Sequence, residues 1–341
     1  MIQKIWHVCV FGFVAYAVYG SYVAAKTRGS EYPQKPIKVI VPFNPGGGTD
    51  TFVRFINKAI KDEQLMPHPL VVVNKPGGAT TIGSSYVKYA KPDGYTMLCL
   101  HEAMMTTKAS GQSPHGPDSF EPIAATGESG LILLVPDDSP FRNLEELMAT
   151  AEEKPDTVRF GVNLNAPPHF TGIMLEEASK GARFIFVPTG GGSKRLAALK
   201  GGHVDVAIFS VSEYIRFRDT GLRAIAYFGE ERHPADEVAH VPTGKEQGYP
   251  IVSSNLQYWW FPRGTDPKQV TYMRDVLSTA MNTPYVRENL DRLKIIPRII
   301  AGDELHQRIE AKMKGYQDMT VKKQIQLPNP MHWTLGMITF F

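Results

Sequence analysis

One junction recurs along this chain and limits what it can fold into. An apolar run ends, a stretch of glycines or other small residues follows, and a helical pattern begins. "FNPGGGTDT" (Phe43 to Thr51) comes after the strand-like "IKVIVPF" and before a segment with Phe52, Ile56, Ala59 and Ile60 on one helical face. The same device appears as "PGGAT" (Pro76 to Thr80), "NAPPH" (Asn165 to His169) and "PTGGGS" (Pro188 to Ser193). With "PLVVVN", a helix near 80–90 and the strand "YTMLCL", the first stretch reads strand, helix, strand, helix, strand. That order predicts a parallel sheet with helices on its faces.

The order restarts after "FEPIAATGES". "LILLV", "RFGVN", "ARFIFVP" and "VDVAIFS" read as strands, with helices at 143–153, 168–179 and 193–200 between them. "LRAIAYF" and "YWWFPRG" add strands, and 267–323 reads as mostly helical. Element order repeats without any repeat of sequence. Two doubly wound α/β units in tandem create ligand space where loops leave the carboxyl ends of strands. A loop such as "PGGG" lets backbone N–H groups approach a ligand without Cβ interference, and Thr49, read as the N-cap, opens a helix whose positive end favours an anion.

Charge names no partner. The formal net charge is +3 over 341 residues, and no Lys/Arg block or basic stripe with interleaved aromatics suggests nucleic acid. Lys4, a short apolar run from Val8 to Val18 and the small residues Val23 to Ala25 have the layout of a secretory signal peptide, 1–25, with a retained anchor as the other reading. Cys9 leaves with that leader and Cys99 stays behind alone, as core filler, so no disulfide framework is available. The ending "MHWTLGMITFF" is too short to span a bilayer. These features predict an extracytoplasmic protein. No metal-ligand spacing and no cofactor motif is present: "GGGTD" lacks the GK[ST] of a phosphate loop, and Thr51 replaces the third Rossmann glycine.

In order and spacing, "YPQKPIKVIVPFNPGGGTD", "VVNKPGGATTIG", "KPDGYTML", "FEPIA", "VPTGGGSKRLAALKGGHVDVAIFS", "VPTGKEQGYP" and "PRGTDP" resemble the substrate-binding proteins of tripartite tricarboxylate transporters, the Bug-type family. The resemblance implies a periplasmic, monomeric, two-lobed solute receptor of the type II binding-protein kind. Such a receptor closes on a small carboxylate and presents it to membrane permease subunits, with no chemistry done on the ligand. Lobe 1 is expected at 36–130 plus 252–327, lobe 2 at 131–251, and a C-terminal extension at 328–341.

Carried over by motif, the first lobe would contact ligand through Phe43, Gly47, Thr49, Asp50, Gly78, Ala79 and Thr80, and the second through Asn165, His169, Thr189 and Ser210. "NLNAPPHF" departs from the family pattern before the His, Thr189 stands where an aromatic is usual, and "YWW" at 258–260 is heavier than expected; these bear on ligand identity. Plainer readings stand beside these. Asp50 complements the helix dipole or orients ligand waters. His169 either contacts ligand or meets only solvent. Trp259 and Trp260 fit core packing better than a stacking platform. His101 and Glu102 resemble an acid/base pair without a third member. The rival functions are an extracytoplasmic enzyme acting on a small acid, with His169 or His101 as base, and a sensory receptor.

Overall fold

The computed structural model describes residues 32–323; the predicted leader 1–25 and the extension 328–341 lie outside the described residues. Ten strands form one mixed sheet with two sections. In the first, β1 (Lys38–Val41) lies between β2 (Val71–Asn74) and β3 (Thr96–Leu100), parallel to both. Antiparallel to β3 runs β9 (Ser254–Pro262), which pairs with the first half of β4 (Phe120–Pro136). β10 (Ile296–Ile300) lies on the other side of that half.

The second section repeats the plan. β5 (Val158–Val162) lies between β6 (Phe184–Pro188) and β7 (Val206–Ser210), parallel to both; the second half of β4 runs antiparallel to β7, and β8 (Leu222–Tyr227) takes its far side. Both sections therefore have a parallel triplet with the earliest strand in the middle. In such an order, loops after the middle strand and after its later neighbour leave on opposite faces and open a crevice at the strand ends.

Strand alternation explains the layers. Val39 and Val41 face a core shared with Phe52, Ile56 and Ile60 of α1 (Gly48–Asp62) and Leu277 of α9 (Pro267–Met281), whereas Ile40 faces an opposite core with Leu98, Met104 and Leu305. Likewise Leu131 and Leu133 face one core of the second section and Ile132 and Leu134 the other. Strands covered on both sides read as continuous apolar runs, which is how they appear in the sequence. The other helices are α2 (Thr81–Lys88), α3 (Ala103–Ala109), α4 (Leu144–Glu153), α5 (Pro167–Glu177), α6 (Gly192–Lys200), α7 (Val211–Phe217), α8 (Asp236–Ala239), α10 (Pro284–Arg292) and α11 (Gly302–Lys323).

One local expectation is corrected, and two regions gain detail. "FEPIAATGES", after which the element order restarts, is the first half of the 17-residue β4, which joins the two α/β units into one sheet. Register shifts between Pro122 and Ala124 and between Thr126 and Glu128 absorb its turn-like residues; Gly127 has φ +67°, and a Cβ on Gly130 would collide with the Tyr227 ring. The region 267–323 is mostly helical, as expected, with β10 set into it. The N-cap of α1 is Gly47, with Thr49 already inside the first turn. Cys99, Trp259 and Trp260 are fully buried core residues. Trp259 Nε1 donates to Thr126 Oγ1 at 2.7 Å.

Candidate functional site

The helices that follow the glycine-rich junctions begin without side-chain caps, as the short α3 and α8 also do. No side chain caps the N-terminus of α1, α2, α5 or α6, whose N-caps are Gly47, Thr80, Ala166 and Gly191. By contrast Asn143, Asp266 and Thr283 cap α4, α9 and α10 with side-chain oxygens. The first N–H groups of an α-helix have no i−4 partner within it, so these starts can serve an external acceptor, although Thr81 N–H of α2 and His169 N–H of α5 already donate to Gly78 O and Ala166 O. All four sit at the carboxyl ends of parallel strands β1, β2, β5 and β6.

Asp50 shapes the first loop. Its Oδ2 accepts from Gly46 N–H and Arg54 Nε, each at 2.8 Å, and its Oδ1 from Asn74 Nδ2 at 2.9 Å. Asn74 Nδ2 also donates to Phe43 O at 3.0 Å. Burial opposes ionisation, but the Arg54, Gly46 and Asn74 donors together hold the Asp50 carboxyl below its ordinary range. Both oxygens are thus occupied inside the protein, and the carboxylate organises the loop from behind.

In the second loop four consecutive residues have left-handed backbone: Gly77 (φ +115°), Gly78 (+55°), Ala79 (+49°) and Thr80 (+80°). Ala79 and Thr80 carry a Cβ there, which costs about 1–3 kcal/mol each. The turn is held by Thr80 N–H to Gly77 O at 3.1 Å and Thr81 Oγ1 to Gly78 O at 2.6 Å.

In the third loop Asn165 is left-handed (φ +60°), and its N–H donates to His169 Nδ1 at 3.1 Å. That bond assigns the ring proton to Nε2. His169 is 7% exposed, edge-on to Phe186 at 4.8 Å. Burial pushes its pKa down to about 4, so it is neutral and does not meet only solvent.

Two predicted hydroxyls are committed elsewhere. Thr189 Oγ1 donates to Val162 O at 3.1 Å. Ser210 forms a capping box with Glu213, with Glu213 Oε2 accepting from Ser210 N–H at 2.9 Å.

Phe43 after β1 stacks on His101 after β3, ring centres 5.1 Å apart. His101 in turn lies within the field of Glu213 from the second section: burial lowers its pKa, and the Glu102 and Glu213 carboxylates work against that. The turn at 78–80 packs beside α3, and α3 beside α5. Phe170 of α5 meets Tyr316 of α11 edge-on at 5.0 Å. Strand-end loops of the two sections thus approach one another.

Residues 53–324 match the family described as the tripartite tricarboxylate transporter family receptor. The chain belongs to that family. BugT of Bordetella pertussis is 28% identical over 289 residues, 83% of this chain and 87% of that protein. A TctC solute-binding protein from Polaromonas is 28% identical with TM-score 0.69, covering 86% of this chain and all of its own. MatC of Rhodopseudomonas palustris, solved with bound malate, is 25% identical with TM-score 0.74, over 84% of this chain and 99% of its own. These are solute-binding receptors, and this chain is one rather than an enzyme.

In this receptor the His101–Glu102 pair is divided between two tasks. Glu102, fully buried, accepts from Leu256 N–H at 2.9 Å, Tyr258 OH at 3.3 Å and Lys312 Nζ at 2.7 Å, which ties β9 and α11 to the start of α3. His101 faces Phe43 instead. His101 enters as a ring stacked on Phe43 rather than as a base, and Glu213 and Arg195 join the strand-end loops beside the motif residues. Glu213 was accessible through the S-x-x-E spacing from Ser210, whereas nothing local marks Arg195. Among the described residues no cluster of His, Cys, Asp and Glu could hold a metal, and no helix is long and apolar enough to cross a membrane.

Proposed function

We propose that this receptor captures a small organic acid between two lobes and hands it to the membrane subunits of a tripartite tricarboxylate transporter. The observation that carries the reading is the set of four helices, α1, α2, α5 and α6, that follow the glycine- or proline-rich junctions at the ends of parallel strands and lack side-chain caps. A carboxylate supplies what those N–H groups need, and the helix dipoles favour its charge. The malate bound by MatC belongs to the same chemical class.

The lobes are 36–130 plus 252–327, and 131–251, with β4 passing from the first into the second. Ligand contacts come from Phe43, the N–H groups around Gly47 and Thr49, the Gly78–Thr80 turn, Asn165, and the Nε2–H of neutral His169. Asp50 acts indirectly, by holding the first loop. Thr189 and Ser210 offer backbone and accepting lone pairs, since their hydroxyl protons have partners. Closure is favoured because only the closed form satisfies both ends of the ligand. The receptor works in the periplasm as a monomer after removal of its leader.

Thermal unfolding against a panel of mono-, di- and tricarboxylates tests this. A cognate acid at a hundred times its Kd stabilises by about 2.7 kcal/mol, a clear rise in Tm. No shift with any acid at millimolar concentration would sink the reading.

A further inference from the structure

Arg195, in the second turn of α6, is 4% exposed and is the one buried Lys or Arg among the described residues. Its guanidinium lies over the Phe209 ring at 4.7 Å. Of its five N–H donors, the hydrogen bond made is Nη1 to Gly190 O at 3.3 Å. Nε is buried without a partner, and Nη2 is 3.8 Å from Glu213 Oε2, beyond hydrogen-bond reach. That same Oε2 already accepts from Ser210 N–H and Ser210 Oγ. A guanidinium held out of water with most of its fork unmatched is costly.

Its location gives the cost a use. Gly190 and Gly191 form the loop into α6, Phe209 is the next-to-last residue of β7, and Glu213 lies in the first turn of α7, so Arg195 stands behind two of the second section's strand-end loops. Glu213 lies so close to Gly192 that a Cβ there would collide with its carboxylate. A lone Glu213 would repel an anion from the start of α6, and Arg195 offsets that charge. In the first section, Arg54 is half exposed and already serves Asp50 and Asn74.

Resting on the reading above, we propose that Arg195 is a specificity-determining residue: its guanidinium supplies the positive charge met by a second carboxylate of the ligand seated at the Gly190–Gly192 loop, so the receptor selects dianionic over monoanionic acids. Planar guanidinium and carboxylate groups match in a bidentate fork, which a lysine reproduces only as a point charge.

The test uses C4 to C6 dicarboxylates (succinate, malate, adipate), each paired with its own monoamide, at pH 7.5 by calorimetry. For any acid that binds, the wild-type receptor should prefer the diacid by about tenfold or more, and Arg195→Met should remove most of that preference while monoamide affinity stays within about threefold. Arg195→Lys should retain an intermediate preference, and it keeps the test decisive should the Met variant fail to fold. Three results would overturn the proposal: equal wild-type affinity for diacid and monoamide, an unchanged ratio in the variants, or equal loss of both affinities, which marks a purely structural arginine. If the wild-type protein bound no acid of either kind, the carboxylate-receptor reading itself would fall.

Discussion

Asp50 and His169 show how this receptor treats ionisable groups beside the proposed anion site. The acid turns both oxygens inward onto Gly46, Arg54 and Asn74, and the imidazole is kept neutral by burial with Nδ1 occupied by the Asn165 N–H. The histidine has a measurable consequence. Its folded pKa, about 4, lies below the ordinary value near 6.5, so the unfolded chain takes up its proton first. Its contribution is complete above about pH 6.5 and is lost as pH falls towards 4, to a ceiling of roughly 3 kcal/mol. Burial lowers His101 and His233 as well, which steepens the fall. Asp50 and Glu128, both shifted down, lose their contribution only below the ordinary carboxylate range. We expect Tm to drop between pH 7.5 and 5.0, and His169→Gln to flatten that drop; parallel pH profiles for the two proteins would contradict the assignment.

At the scale of elements, the decisive contrast is between helices with side-chain caps and helices without. The glycine and proline spacing before each helix made these junctions readable from sequence, because such residues announce a strand-to-helix turn whatever its use. What stayed hidden was conformation. Ala79 and Thr80 are residues that avoid left-handed backbone, so only the surrounding structure reveals that the 77–80 turn continues through them. Hidden too was the commitment of Thr189 and Ser210 hydroxyls to local bonds, which motif matching cannot see. The placement of α2 depends on Gly83, where a Cβ would come within 2.7 Å of Pro42 Cβ and 2.9 Å of Lys75 O. Gly83→Ala should therefore push α2 off β1 and destabilise by about 1–3 kcal/mol. Gly48→Ala, at a helical position with nothing within 4 Å of the added carbon, should leave stability unchanged or raised by up to about 1 kcal/mol. Urea midpoints compare the two; similar losses in both would mean that close packing of α2 is not the cause.

For the whole molecule, two α/β units were legible because strand and helix periods alternate twice. Their union was not, since Pro122, Gly127 and Gly130 give the first half of β4 the composition of a turn, and only pairing with β9 shows it to be a strand. Glu128 lies near the crossing between sections. Its Oε1 accepts from Ser254 Oγ at 2.6 Å and Arg308 Nη2 at 3.4 Å, and its Oε2 from Arg298 Nε at 3.0 Å. Glu128→Gln should cost roughly 1–3 kcal/mol by weakening these charge-assisted bonds, read as a lower denaturant midpoint with an unchanged m-value. An unaltered midpoint would show that the cluster does not hold β4, β9, β10 and α11 together. β4 runs unbroken from β9 and β10 into β7 and β8, so the halves are hung on a common spine. The junction lies between Gly130, paired with Ser254, and Leu131, paired with Ser210. Torsion of that ribbon is levered outward along strands about 17 Å long. A twist of about 20° in the spine therefore displaces the strand tips by about 6 Å, the scale of a small acid, so one bent strand can work as the spring of a pair of tongs.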